Sequence, residues 1–223
     1  VLAAQDPTDQ QAQRDLSISY YNLGEMTQAQ GQLLEAHALF TKDLKITETL
    51  AAQDPTDLQA QRDLSISYDR LGNVAQARGQ LPEAHALFTK GLMIRKALAA
   101  QDPTDQQAQR DLSISYNKLG DVANAQGQLQ EAHELFTKDL KIAEALAVQD
   151  PTDQQAQRDL SYSLYQLSRL LVQMDRNAEA LGLARRSLEV DEQLSAKDPT
   201  NTTWQQDVRL SKTWLAKLEG GGG

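Results

Sequence analysis

The chain has 223 residues, 40% of them apolar and only 5% aromatic, and a formal net charge of −9 at pH 7. That acidity counts against nucleic-acid and anionic-membrane partners, which need a basic footprint. Without cysteine, disulfide scaffolds and zinc–thiolate centres are excluded, no apolar run approaches a membrane span, and Val1-Leu2-Ala3-Ala4 is too short for a signal peptide, so a cytoplasmic setting is expected.

The chain opens on Gln5-Asp6-Pro7-Thr8-Asp9, and the same five residues return at Gln53, Gln101 and Gln149, every 48 residues. A fixed period of this size signals stacked supersecondary units, each too small to bury its own apolar face. Asp6-Pro7-Thr8-Asp9 reads as a helix start, Thr8 and Gln11 having capping-box form. From there Ala12, Leu16, Tyr20, Leu23 and, more weakly, Thr27 and Gln30 trace one helical face. Gly31 breaks the pattern. A second amphipathic run passes through Leu33, Ala36, Phe40, Leu44, Ile46 and Leu50 to Gln53. Each copy is therefore expected to be a helical hairpin with two helices of about 20 residues. The copies span 5–52, 53–100, 101–148 and 149–197. After them a capping helix over about 200–219, carrying Leu210, Trp214 and Leu218, and a glycine tail at 220–223 close a single array. Roughly 35 of 48 positions match between the first and second copies, the mark of recent duplication or deliberate repetition.

Tyr20-x-x-Leu23-Gly24-x-x-Thr27 followed by Ala36-x-x-x-Phe40 resembles the tetratricopeptide repeat pattern. The match recurs at Tyr68, Leu71, Gly72, Ala75, Ala84 and Phe88, and at Tyr116, Leu119, Gly120, Ala123, Ala132 and Phe136. A worn fourth copy has Leu164, Leu167, Ser168, Leu171, Ala180 and Ala184. The usual repeat of about 34 residues is lengthened here by about 14, as in kinesin-light-chain repeats. The helix-ending proline is absent at Glu48, so the second helix should run on to Gln53 and the next first helix should start near Thr56. The resemblance implies an all-α fold, a right-handed α-solenoid of stacked antiparallel hairpins. Gly24 should let the two helices of a hairpin approach closely, and Ser168 in its place should loosen the fourth.

No constellation for catalysis is present, and neither an enzyme, a cofactor nor a metal site is expected. His37, His85 and His133 sit at one repeat position. Stacked copies of it should lie about 10 Å apart, too far to share one ion, so the histidines are read as junction packing. Arg14-Asp15, Arg62-Asp63, Arg110-Asp111 and Arg158-Asp159 are read as ion pairs between repeats. In the resembling families the first helices line a groove. Carried over by position, its contacts would be Tyr21, Glu25 and Gln28; Asp69, Asn73 and Gln76; Asn117, Asp121 and Asn124; Tyr165, Arg169 and Val172. Tyr20, Leu23 and Gly24 hardly change, whereas Tyr21 becomes Asp69 and then Asn117. Asp69 would then lie on the surface and be nearly neutral to substitution.

The expected function is a protein-binding scaffold holding an extended peptide or a partner helix, neutral to mildly basic because Glu25, Asp69 and Asp121 outweigh Arg169. The competing readings are an architectural or self-associating scaffold, natural or engineered, without a specific ligand, and the docking or sensor arm of a larger effector. Val1 to Gln5 read like the close of a second helix whose hairpin is missing. The first hairpin's apolar face, with Leu2 and Leu16, is then expected to seek a second copy.

Overall fold

The computed structural model describes residues 9–220. Among the described residues there are nine α-helices and no strand. They fall into two compact units, Val1–Asp102 and Pro103–Gly223. The first unit holds α1 (Gln10–Ala29), α2 (Leu33–Gln53), α3 (Leu58–Ala77) and α4 (Leu81–Gln101). The second holds α5 (Gln106–Ala125), α6 (Leu129–Gln149), α7 (Gln154–Gln173), α8 (Asn177–Lys197) and α9 (Thr202–Gly220). In the first unit α2 packs on both α1 and α3, and α4 on α3; in the second α6 lies between α5 and α7, and α8 between α7 and α9. Each unit is thus a stack of hairpins with first helices in one layer and second helices in the other.

The helix starts differ from the capping box read from the sequence. Thr8 lies outside the described residues, but its equivalents Thr56, Thr152 and Thr200 do not cap. Each donates its hydroxyl to the aspartate two residues earlier, 2.6 Å to Asp54 and 2.7 Å to Asp150 and Asp198. That turn presents the following aspartate as the true N-cap: Asp57 and Asp153 each accept from two free backbone N–H groups of the first turn. Aspartate serves better than threonine because its charge also meets the positive end of the helix dipole. The first helix consequently begins at Leu58 rather than Thr56, while the second does run to Gln53.

The hairpin turn requires a left-handed residue. Gly31, Gly79 and Gly127 have φ of 76°, 74° and 75°. The Gly31 N–H donates to Gln28 O and the Gln32 N–H to Thr27 O, both at 2.9 Å, closing the helix in the Schellman manner. In the fourth hairpin Asp175 takes the same conformation at φ 58°, a side chain that tolerates it. Gln30, read as a weak face member, is instead the C-cap of α1.

Inside the hairpin, a Cβ built on Gly24, Gly72 or Gly120 would stand 2.5–2.7 Å from Phe40, Phe88 or Phe136, so only glycine admits the ring. The three rings are fully buried or nearly so, and each contributes about 1.5–3 kcal/mol. The fourth hairpin trades sizes: Ala184 replaces the phenylalanine and Ser168 the glycine, both buried. Ser168 Oγ donates to Ala180 O and accepts from Trp214 Nε1 of α9, each at 2.8 Å. Ser168 returns only part of the volume that Ala184 removes, but Trp214 of α9 reaches Ser168 and the hydroxyl is satisfied, so both positions stay buried.

Candidate functional site

Within each unit the Arg-Asp series joins first helices of successive hairpins, and in the second unit the last of them to α9. Arg14 meets the N-cap Asp57 at 3.0 Å. Arg110 meets Asp153 and Asp159 at 2.9 Å, and Arg158 meets Asp207 at 2.7 Å. These are ion pairs between repeats, as their spacing suggested. Two of the histidines lie in the second-helix layer at junctions within a unit: His37 Nε2 is 3.4 Å from Glu83, and His133 accepts from Arg176 at 2.9 Å. Burial, with the Arg176 guanidinium, holds the His133 pKa below its usual value.

Behind this layer the second helices carry buried carboxylates clasped by serines from the first helices on either side. Asp43 of α2 accepts from Ser17 of α1 and from Ser67 of α3, the latter at 2.7 Å. Asp139 of α6 accepts from Ser113 and Asn117 of α5 and Ser163 of α7. Asp191 of α8 accepts from Ser211 of α9 at 2.6 Å. All three are 3% exposed, and burial pushes their pKa values up against the lowering effect of the hydroxyls. The hairpin of α3 and α4 departs from this scheme. Gly91 stands where Asp43 and Asp139 do, and Asp69 fills the space, its carboxylate 2.7 Å from Arg95 Nη1. A Cβ on Gly91 would lie 3.3 Å from Asp69 Oδ1.

That arrangement corrects part of the groove read from the sequence. Asp69 is 4% exposed and Asn117 9%, so neither lies open on the surface. One change has its match on the opposite helix: Asp69 occurs with Gly91 and Arg95, whereas Tyr21 and Asn117 both occur with an aspartate, Asp43 and Asp139. The remaining positions stand nearer the surface. Tyr21 and Glu25 are half-buried beneath Arg70, whose guanidinium lies 5.2 Å from the Tyr21 ring centre, 3.1 Å from its hydroxyl and 3.2 Å from the Glu25 carboxylate. Gln28, Asn73, Gln76, Asn124 and Val172 are half-buried. Asp121 accepts from Gln166 at 2.9 Å, and burial raises its pKa to about 6, with Arg169 opposing. Tyr165 lies edge-on to Trp214, ring centres 6.1 Å apart, with exposed Arg169 over its ring.

One feature of this layer escaped the sequence reading. The residue between two serines recurs at one register of the first helices: Ile18 is 52% exposed, Ile114 42% and Tyr162 52%, while Ile66 is half-buried; Leu210 of α9, at the same register between Arg209 and Ser211, is 50% exposed. The Ser-Ile-Ser triplet stands in three copies of the sequence, but its spacing alone does not show that the serines meet carboxylates on other helices. At the chain's beginning, Leu23 and Met26 of α1 are 46% and 60% exposed, whereas their counterparts Leu71 and Val74, and Leu167 and Leu170, are buried. Leu16 is half-buried, and Leu2 lies outside the described residues.

Solved structures share this fold at low identity. BtubC (BKLC) from P. vanneervenii is 14% identical, with a TM-score of 0.64 over 98% of this chain and 83% of that one. Two crystal structures of a Podosopora anserina putative kinesin light chain with nearly identical TPR-like repeats follow. One is 17% identical, covers 91% of this chain and 95% of its own, and has a TM-score of 0.58. The other is 20% identical over 89% and 94%, with a TM-score of 0.53. No curated protein matches the sequence. The tetratricopeptide repeat family matches at residues 17–57, 65–105 and 113–153, in the register of the hairpins and over more than half the chain, and the worn fourth copy is the one left out. With all-α hairpins stacked as in those solenoids, the chain belongs to the tetratricopeptide repeat family.

Proposed function

We propose that the chain is a protein-interaction scaffold that holds an extended peptide or a partner helix against its first-helix layer. Tetratricopeptide repeats generally serve protein–protein interaction, and the observation that supports a groove here is the open apolar residue recurring at one register. Ile18 and Ile66 in the first unit, and Ile114, Tyr162 and Leu210 in the second, offer apolar anchors at the spacing of the repeats. Half-buried Glu25, Asn73, Asp121 and Tyr165 flank them, with Gln28, Gln76, Asn124, Arg169 and Val172 further along the same helices. With Asp69 buried on Arg95, the half-buried Glu25 and Asp121 are the carboxylates that favour a neutral to mildly basic ligand. Selection from a displayed peptide library, followed by calorimetric titration, tests the reading. Apolar peptides without excess acid should be enriched, and Ile114→Glu should abolish binding while leaving the melting temperature within a few degrees. Enrichment of strongly acidic peptides, or binding indifferent to Ile114→Glu, would refute it.

The architectural alternative draws support from the exposed Leu23 and Met26, a face whose counterparts are covered within both units. Among the described residues no group of three or more His, Cys, Asp and Glu side chains could hold a metal ion.

A further inference from the structure

In the second unit α7, α8 and α9 enclose a half-open pocket of about 350 Å³. It arises where the fourth hairpin departs from the repeat. Ser187 stands where Asp43 and Asp139 do, Asp191 stands where Thr47, Arg95 and Ala143 do, and Tyr162 replaces the isoleucine of the first three copies. Tyr162, Tyr165 and Leu210 form its apolar walls, and Ser187, Asp191 and Ser211 its polar end.

The charges in the pocket are unevenly satisfied. Arg158 on the rim is held by Asp207 at 2.7 Å, and Asp159 by Arg110 at 2.9 Å. Asp191, 3% exposed, is bonded by the hydroxyls of Ser211 and Ser161 and by no cation; Arg158 on the rim, held by Asp207, acts on it only at a distance. A buried carboxylate with only neutral donors is costly, and a cation delivered to it is favoured by the same low dielectric. The tyrosine rings add negative faces beside the path, and their length suits an alkyl stem rather than a bare ion. A guanidinium needs two free oxygens in one plane, whereas the serines already engage this carboxylate, so a compact ammonium with three rotatable donors fits better.

We propose that this pocket receives the side chain of a lysine carried by the bound peptide, its stem between Tyr162 and Leu210 and its ammonium on Asp191 and Ser187. The assignment rests on the reading of the first-helix layer as a peptide-binding face, and it names one anchor of the ligand.

Butylammonium chloride serves as a probe that needs no knowledge of the partner. In nuclear magnetic resonance titrations it should shift Tyr162, Tyr165 and Ser211 saturably, while butanol should not. Asp191→Asn should weaken the response by roughly tenfold or more. Tyr162→Ile, which installs the residue of the other copies, should weaken it with the fold unchanged, and it decides the matter if the Asp191 variant does not fold. Equal shifts with butanol, or an undiminished response in a folded Asp191→Asn, would overturn the assignment. The selected peptides separate the two readings. A lysine peptide that binds the wild type and Asp191→Asn equally well removes the pocket and leaves the groove. Butylammonium binding without any selected peptide removes the groove and leaves a cation pocket.

Discussion

A carboxylate inside a helical hairpin needs donors, and this chain supplies them in two ways. Asp43 and Asp139 are met by hydroxyls and, for Asp139, an amide; Asp69 is met by the Arg95 guanidinium in the space that Gly91 vacates. Removing one member of a buried ion pair strands the other, and Arg95 is only 5% exposed. Asp69→Ala should therefore cost about 3–5 kcal/mol of unfolding free energy in urea titrations. Asp69→Ala combined with Arg95→Met should recover most of that loss, since the orphaned charge is gone. A single-variant cost below about 0.5 kcal/mol would return Asp69 to the surface. The sequence could not distinguish these outcomes. A position that reads Tyr21, Asp69, Asn117 and Tyr165 looks like free variation until its partner on the other helix is known. Only the fold brings the two together.

At the scale of the helix, two families of aspartates titrate in opposite senses. Those in the turns before the first helices, Asp54, Asp150 and Asp198, are held below their usual pKa by the hydroxyl and N–H of Thr56, Thr152 and Thr200. Their contribution is present above pH 3.8 and is lost as pH falls through the lowered value. Those midway along the helices, Asp43, Asp139 and Asp191, and Asp121 with its pKa near 6, are raised by burial. For these the folded state binds the proton more tightly, so the cost of the charge is absent below pH 3.8 and complete above the folded pKa. Thermal melts should show Asp121→Asn gaining stability relative to the wild type as pH rises from 3.8 to about 6, then keeping a constant lead. A difference independent of pH across that window would mean that Asp121 is solvated. The helices themselves, the break at Gly31 and the close approach at Gly24 could all be read from the sequence, because they depend on residues close along the chain. The N-cap was misplaced by one residue because Thr56 and Asp57 both have capping chemistry, and only the turn that Asp54 makes with Thr56 decides between them.

At the scale of the molecule the two ends of the described chain are unlike. Helix α9 buries Trp204 and Ser211 and turns Lys212 and Lys217 to water, Lys212 pairing with Glu192 at 2.8 Å. Helix α1 leaves Leu23 and Met26 exposed. An apolar face of this kind associates most simply by two-fold pairing with itself. Light scattering over a concentration series should show a dimer that Leu23→Lys with Met26→Lys returns to monomer, with the melting temperature of the monomer unaltered. A wild-type monomer at all concentrations would count against self-association as the chain's role.

The Asp69–Arg95 pair and its vacated Gly91 have a further consequence, for how such a chain changes over generations. In the buried layer Asp69 changes together with Gly91 and Arg95, and Asn117 bonds Asp139; each set lies within one hairpin. The serines that reach across to the preceding hairpin, Ser67, Ser163 and Ser211, are the same in every copy. Unequal crossing-over in steps of 48 codons would therefore carry each compensated set intact and rejoin it to an unchanged serine. Hairpins can be gained, lost or reordered without stranding a buried charge, whereas exchange within a hairpin, between its two helices, would separate Arg95 from Asp69.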